Sequence, residues 1–142
     1  IPTDRRDTRK RMLFARFGIQ EFAQVRVRDL STGMKQKVSL VISLVQDPEI
    51  IIFDEPTNGL DILTAKVVTD FLLDLKEHGK TIIISTHIFS LVEKICDRVG
   101  IIINGRMAAC EDLRTLCGDK SLEDRFFEIY EAVNGEDENH DK

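Results

Sequence analysis
The stretch EIIIFDEP, residues 49–56, carries four apolar or aromatic positions, Ile50 to Phe53, directly into two adjacent carboxylates, Asp54 and Glu55. Paired acids at the end of an apolar run suit two kinds of chemistry. One carboxylate can hold a hard divalent cation such as Mg²⁺, which keeps several waters and takes few protein ligands. The other can accept a proton from a water, or orient that water for attack. Many enzymes that hydrolyse nucleoside triphosphates hold Mg²⁺ beside the phosphates in this way. The plainer account is that the two acids merely cap the next element of the chain. A second stretch, LSTGMKQ at residues 30–36, places Ser31 and Gly33 at the start of a helical pattern. Unpaired backbone N–H groups and the helix dipole favour an anion there. Ser31 can also cap its own helix, and Gly33 permits close backbone approach to a phosphate.

The elements that must position these residues are legible along the chain. Residues 1–16 carry six basic and two acidic side chains, yet Met12, Leu13, Arg16 and Phe17 allow a surface helix with one apolar edge, stopped by Gly18. Met34, Val38, Val41 and Val45 recur at helical spacing, and Pro48 forbids continuation. EIIIFDEP is too short and too uniformly apolar for an amphipathic helix, so it reads as a central parallel strand buried on both faces. Ala65, Val68, Phe71, Leu72 and Leu75 mark a helix closed by Gly79, KTIIIST a second buried strand, and Ile88, Leu91, Val92 and Ile95 a third helix. RVGIIINGRMAAC reads as a hairpin, with Asn104-Gly105 supplying the positive φ values of a tight turn. Short helices are expected around 111–117 and 121–133, followed by a disordered tail at 134–142. Strands alternating with helices predict α/β layering, and ligands in open α/β sheets sit beyond the carboxyl ends of the strands. Asp54-Glu55 occupies one such end and Ser85-Thr86-His87 the next.

LSTGMKQKVSL, IIIFDEP, NGLD and STH stand in the order and spacing of an ATP-binding cassette (ABC) ATPase, and residues 20–110 strongly resemble the C-terminal portion of its nucleotide-binding domain. The resemblance implies a P-loop NTPase-like parallel sheet, here incomplete, with part of the helical subdomain. Residues 1–48 would carry that subdomain and the signature motif, 49–110 the ATPase core, and 111–133 the C-terminal helices. It further implies that Asp54 serves Mg²⁺, that Glu55 is the catalytic base, and that His87 contacts the γ-phosphate and orients water. Ser31, Thr32 and Gly33 of the signature, and Asp61 of the D-loop, would contact nucleotide. The implied cofactors are ATP and Mg²⁺. The implied partners are a second ATPase subunit, packed head to tail, and an integral membrane permease, which would place the protein at the cytoplasmic face of the membrane. His78 and His140 carry no such expectation.

Three departures from the family pattern stand out. Thr32 and Met34 replace the middle Gly and the Gln of Leu-Ser-Gly-Gly-Gln, and Val41-Ile42-Ser43 stands where Ala-Arg-Ala is common. The LSTGMKQK form is most similar to the ATPase subunits of bacterial ABC-2-type exporters, and among these to the sodium-efflux type. The third departure is an absence. The 142 residues contain no G-x-x-x-x-G-K-[ST] phosphate loop. Gly79-Lys80-Thr81 is a decoy, because position 74 is Asp74 and the Gly ends a helix rather than following a strand. The chain begins without Met and without a signal-peptide core, so it reads as a cut end, and these residues alone are expected to be inactive.

Composition narrows the remaining classes. A net charge of −5 argues against non-specific nucleic-acid binding, which normally shows a basic surface. No apolar run approaches the roughly 20 residues that span a bilayer. Cys96, Cys110 and Cys117 are odd in number, lie in apolar segments and form no Cys-x-x-Cys, which reads as reduced cytosolic thiols. Two other readings remain: a soluble, non-transport ABC ATPase, although no heptad run appears, and a non-hydrolytic ABC-like interaction module.

Overall fold
The computed structural model describes residues 3–140, which divide into two compact units on either side of the Thr86–His87 boundary. The first contains helix α1 (Thr3–Phe17), two 3₁₀ turns (Ile19–Phe22 and Val27–Asp29), α2 (Thr32–Leu44), strand β1 (Ile50–Asp54), α3 (Ile62–Glu77) and β2 (Thr81–Ser85). Gly18 stops α1 in the left-handed region, at φ 64°, where a residue without a Cβ meets little steric cost. Leu13 and Phe17 bury the apolar edge of α1, which packs against α2 and α3. The Phe17 and Phe71 rings meet edge to face at 5.2 Å, and Arg16 lies over the Phe71 ring while bonding Asp74 at 2.7 Å. Truncating a fully buried leucine such as Leu13 costs about 2–5 kcal/mol in comparable cores.

Helix α2 buries Val41 of the predicted stripe, but the stripe as a whole is shifted. Leu40, Val41 and Leu44 are buried, whereas Met34, Val38 and Val45 are half-buried. The inward face is therefore turned by roughly one residue. Helix α1 packs beside α2, its Arg9 Nε donating to the Leu44 carbonyl at 2.9 Å while its guanidinium pairs with Asp47 at 2.9 Å. Both sides of a helix read as apolar in this segment, and the packed neighbour decides between them.

Strands β1 and β2 pair in parallel, with Ile50 opposite Thr81 and Asp54 opposite Ser85. The expectation of a strand buried on both faces is corrected here. Ile51 and Phe53 are buried, but Ile50 and Ile52 are 61% and 72% exposed. Successive side chains point to opposite faces, and among the described residues the sheet has two strands, with one face of β1 covered. Helix α3 connects the strands and closes at Gly79, φ 76°. Lys80, the middle residue of the decoy, lies between Asp47 at 3.1 Å and Glu49 at 3.3 Å. It is a strand-entry ion pair with no phosphate-loop geometry around it.

The second unit contains α4 (Phe89–Ile95), β3 (Arg98–Ile103), β4 (Arg106–Asp112), α5 (Leu113–Cys117) and α6 (Leu122–His140). β3 and β4 form the expected antiparallel hairpin around Asn104 (φ 50°) and Gly105 (φ 75°), with an irregularity between Ile101 and Ile102. Val92, Ile101, Ile103, Leu116 and Leu122 form its core. Ser121 and Asp124 begin α6 with a reciprocal cap: the Asp124 N–H donates to Ser121 Oγ at 3.0 Å, and Ser121 Oγ donates to Asp124 Oδ2 at 2.7 Å. The helix then continues past residue 133, where the sequence pattern ends, to His140. Glutamates are good helix formers and need no burial to propagate one. Residues 141 and 142 of the expected tail lie outside the described residues.

The Asp47 ion pairs make a testable contribution to stability. The hydrogen bond from Lys80, with Arg9 nearby, holds the Asp47 carboxyl below its ordinary range against a smaller opposing effect of burial. A carboxyl lowered in the folded state stabilises fully above its unfolded value, about 4, and loses that contribution as pH falls through the lower folded value. Asp47→Asn should therefore flatten the acid limb of thermal stability below about pH 4. Denaturation scans of both proteins across that range would check it, and superimposable acid limbs would refute it.

Candidate functional site
The parallel register carries the site. With Asp54 opposite Ser85, Ser85 Oγ donates directly to Asp54 Oδ1. One residue on, the Glu55 N–H donates to the Ser85 carbonyl at 2.9 Å, and Thr86 Oγ1 donates to Glu55 Oε2 at 3.2 Å. Asp54 is exposed and Glu55 half-buried. The strand ends therefore present two differently placed carboxylates, one open to solvent and one drawn back against a hydroxyl. Glu55 adopts φ 47°, in the left-handed region. That conformation costs a residue with a Cβ about 1–3 kcal/mol and persists only where its surroundings hold it. The following Pro56, under 2% exposed, restricts Glu55 further by steric contact with its backbone.

The start of α2 faces the loop after β1. Ser31 is the N-cap, its Oγ accepting from the Met34 N–H at 3.3 Å. Lys35 N–H donates to the Ser31 carbonyl at 2.9 Å and closes the first helical turn. By helix geometry the amides of Thr32 and Gly33 have no partner within the helix. The Thr32 methyl lies 3.8 Å from where a Cβ on Gly59 would sit, and Leu60 Cδ2 lies 3.9 Å from one on Gly33. Ser31-Thr32-Gly33 and Asn58-Gly59-Leu60 are thus neighbours within one unit. Gly59 needs its lack of a side chain, at φ 70°, whereas Gly33 has a conformation open to any residue and room for a methyl. Any requirement for Gly at position 33 must come from what approaches the helix start.

Asp61 follows this loop and serves its own helix. It caps α3, with Oδ1 accepting from the Thr64 N–H at 3.0 Å and Oδ2 from Thr64 Oγ1 at 2.7 Å. Those hydrogen bonds hold its carboxyl below the ordinary range. His87 is exposed and is the first residue of the second unit. The structure therefore gathers Asp54, Glu55, Ser85 and Thr86 at one end of the strand pair, and Ser31, Thr32 and Gly33 beside the 58–60 loop. Sequence reading did not single out Gln36. Its Nε2 donates to the Glu55 carbonyl at 3.4 Å, a contact between residues 19 apart that no local pattern announces. Among the described residues, no group of three or more His, Cys, Asp or Glu side chains could hold a metal ion. No helix of the described residues is long and apolar enough to cross a membrane.

Carboxylates and hydroxyls at the C-terminal ends of parallel strands occupy the place where open α/β sheets bind their ligands. Comparison with known proteins finds similarity to one family. Residues 4–58 match the ABC transporter family model. The ABC transporter ATP-binding protein NatA of Bacillus subtilis is 40% identical over 112 residues, covering 79% of this chain and 46% of NatA. A solved structure of the ATP-binding subunit of an ABC transporter superposes with a TM-score of 0.84 at 29% identity, covering 91% of this chain and 56% of that one. A dimeric post-hydrolysis state of the ATP-binding cassette MJ0796, bound to ADP and Pi, superposes with a TM-score of 0.70 at 28% identity, over 80% of this chain and 50% of that one. Over the residues matched, the chain is similar to ABC transporter ATP-binding proteins, and its α/β fold with parallel strands matches that of ABC ATP-binding subunits. It spans less than half the length of NatA.

The contrast between the two glycines can be checked without nucleotide. Gly59→Ala should lower unfolding free energy by about 1 kcal/mol, the usual cost of a left-handed conformation for a residue with a Cβ. Gly33→Ala should leave stability unchanged or raise it by up to about 1 kcal/mol, because Ala favours the helix. Urea denaturation of both variants would decide, and a Gly33→Ala protein as unstable as Gly59→Ala would contradict the geometry.

Proposed function
We propose that this chain is part of the ATP-binding and hydrolysing subunit of an ABC exporter. In the full-length protein it would couple hydrolysis to transport through a separate membrane permease at the cytoplasmic face of the membrane. The observation that carries the reading is the pairing of Asp54 with Ser85, which sets Glu55 one residue beyond the strand end and against Thr86. The donor set fits Mg²⁺, since Asp54 offers one exposed hard oxygen ligand beside the Ser85 hydroxyl, and such an ion needs few protein ligands. When bound with ATP, Mg²⁺ supplies charge stabilisation on the phosphates. Glu55 would accept the proton of the attacking water, and His87 carries the family resemblance to the residue that contacts the γ-phosphate and orients water. Ser31, Thr32 and Gly33 present the positive end of α2 to phosphate, and Asp61 belongs to the adjoining D-loop.

On this reading, residues 1–48 carry the signature-bearing part of the helical subdomain and 49–110 the ATPase core. A second ATPase subunit packs head to tail so that each signature faces the other chain's nucleotide, an arrangement consistent with the exposure of Ser31 and Thr32. The LSTGMKQK form supports sodium efflux as the transport function.

In the full-length protein, Glu55→Gln should lower ATP turnover by at least about 10²-fold, the usual scale for loss of a general base, while nucleotide binding survives. Asp54→Asn should instead weaken the dependence of binding on Mg²⁺. Titration calorimetry with and without Mg²⁺, alongside steady-state turnover, separates the two roles, and equal effects on binding would refute the assignment. Sodium efflux from cells expressing the protein with its permease should fall with Glu55→Gln. Undiminished efflux would remove sodium as the substrate and leave the ATPase assignment standing.

A further inference from the structure
We propose that Gln36 is a positioning residue for Glu55. It lies in α2, whose start carries Ser31, Thr32 and Gly33, and it holds the peptide that sets the direction of the Glu55 carboxylate. The proposal rests on the reading of Glu55 as the base. The Glu55 carbonyl accepts two hydrogen bonds, from Gln36 Nε2 at 3.4 Å and from the Asn58 N–H at 3.1 Å. On its other side, the Glu55 N–H is bonded to the Ser85 carbonyl at 2.9 Å. Between these anchors the residue adopts φ 47°, directly before the buried Pro56.

A residue with a Cβ in this region relaxes toward an extended conformation unless the surrounding structure over-determines it. Relaxation at Glu55 would swing its carboxylate away from Thr86 Oγ1, now 3.2 Å from Oε2. Strand β2 holds the N–H side, so the carbonyl side needs its own restraint. The turn to Asn58 is local and can move as a body with the 56–60 loop. Gln36 is the contact that ties the same oxygen to a different element. It also places the signature helix and the base in one mechanical unit, because a movement of α2 carries the amide that grips the Glu55 peptide.

Gln36→Met keeps the length of the side chain and removes the donor, so folding should be retained. In the full-length protein we expect kcat to fall about three- to tenfold, the range for loss of one such hydrogen bond, with KM for ATP unchanged. In a Glu55→Gln background, Gln36→Met should cause no further loss in single-turnover assays, because its effect passes through the Glu55 carboxylate. Unchanged kcat, a rise in KM alone, or losses that multiply in the double variant would overturn the proposal. Amide hydrogen exchange supplies a reading independent of turnover. The Glu55 and Asn58 N–H groups should exchange about tenfold faster in Gln36→Met if the side chain holds this turn. Unchanged protection would refute the positioning role. If Glu55→Gln itself turned over ATP like the wild type, the assignment of the base would fall, and the exchange data would still decide whether Gln36 holds the turn.

Discussion
The parallel register of β1 and β2 is the constraint on which the candidate site depends. Because the side-chain period along a strand is two, a slip of one residue would send Ile51 and Phe53 to the exposed face and Asp54 away from Ser85. The buried pair Ile51 and Phe53 therefore does more than fill a core. It fixes which carboxylate stands beside Ser85 and which lies past the strand end against Thr86. The ion pairs of Lys80 with Asp47 and Glu49 pin the same register at the opposite end, where the Thr81 N–H donates to the Glu49 carbonyl at 3.0 Å.

Two adjacent acids acquire different environments through backbone geometry alone. Asp54 ends a regular strand and stays in solvent. Glu55 turns through a positive φ, which draws its carboxylate back toward Thr86 and gives its carbonyl to Gln36. A strained conformation kept at a chemically capable side chain is a common mark of a functional position, and here the restraints come from three separate elements. By contrast, the acid at Asp61 is spent on its own helix cap, which fixes the direction in which the chain leaves the 58–60 loop.

The second unit is built on different principles. Its hairpin turn and the reciprocal Ser121–Asp124 cap are local devices, while its core joins residues from Val92 to Leu122. Cys117 sits against that core, and burial, aided by nearby Glu93, pushes its thiol above the ordinary range. A thiol so placed is a poor nucleophile, because the thiolate is the reactive form.

Much of this protein was legible in its residues because the relevant signals are local. Gly18, Gly79 and Asn104-Gly105 mark chain reversals by the backbone conformations they allow, and apolar runs mark the two strands. Ser31 marks a helix start, and the order of four short motifs carries the resemblance to ABC ATPases. What the sequence could not decide was which surfaces meet. The face that α2 buries depends on α1 docking beside Leu44, and the exposure of Ile50 and Ile52 depends on how many elements cover the sheet. The contact of Gln36 with Glu55 joins residues far apart along the chain through a half-buried amide that resembles any surface glutamine in a pattern of letters. Local conformation is set by the steric and hydrogen-bonding preferences of neighbouring residues, which a sequence displays. Long-range contacts are set by packing and by the register of paired strands, which exist only once the chain has folded.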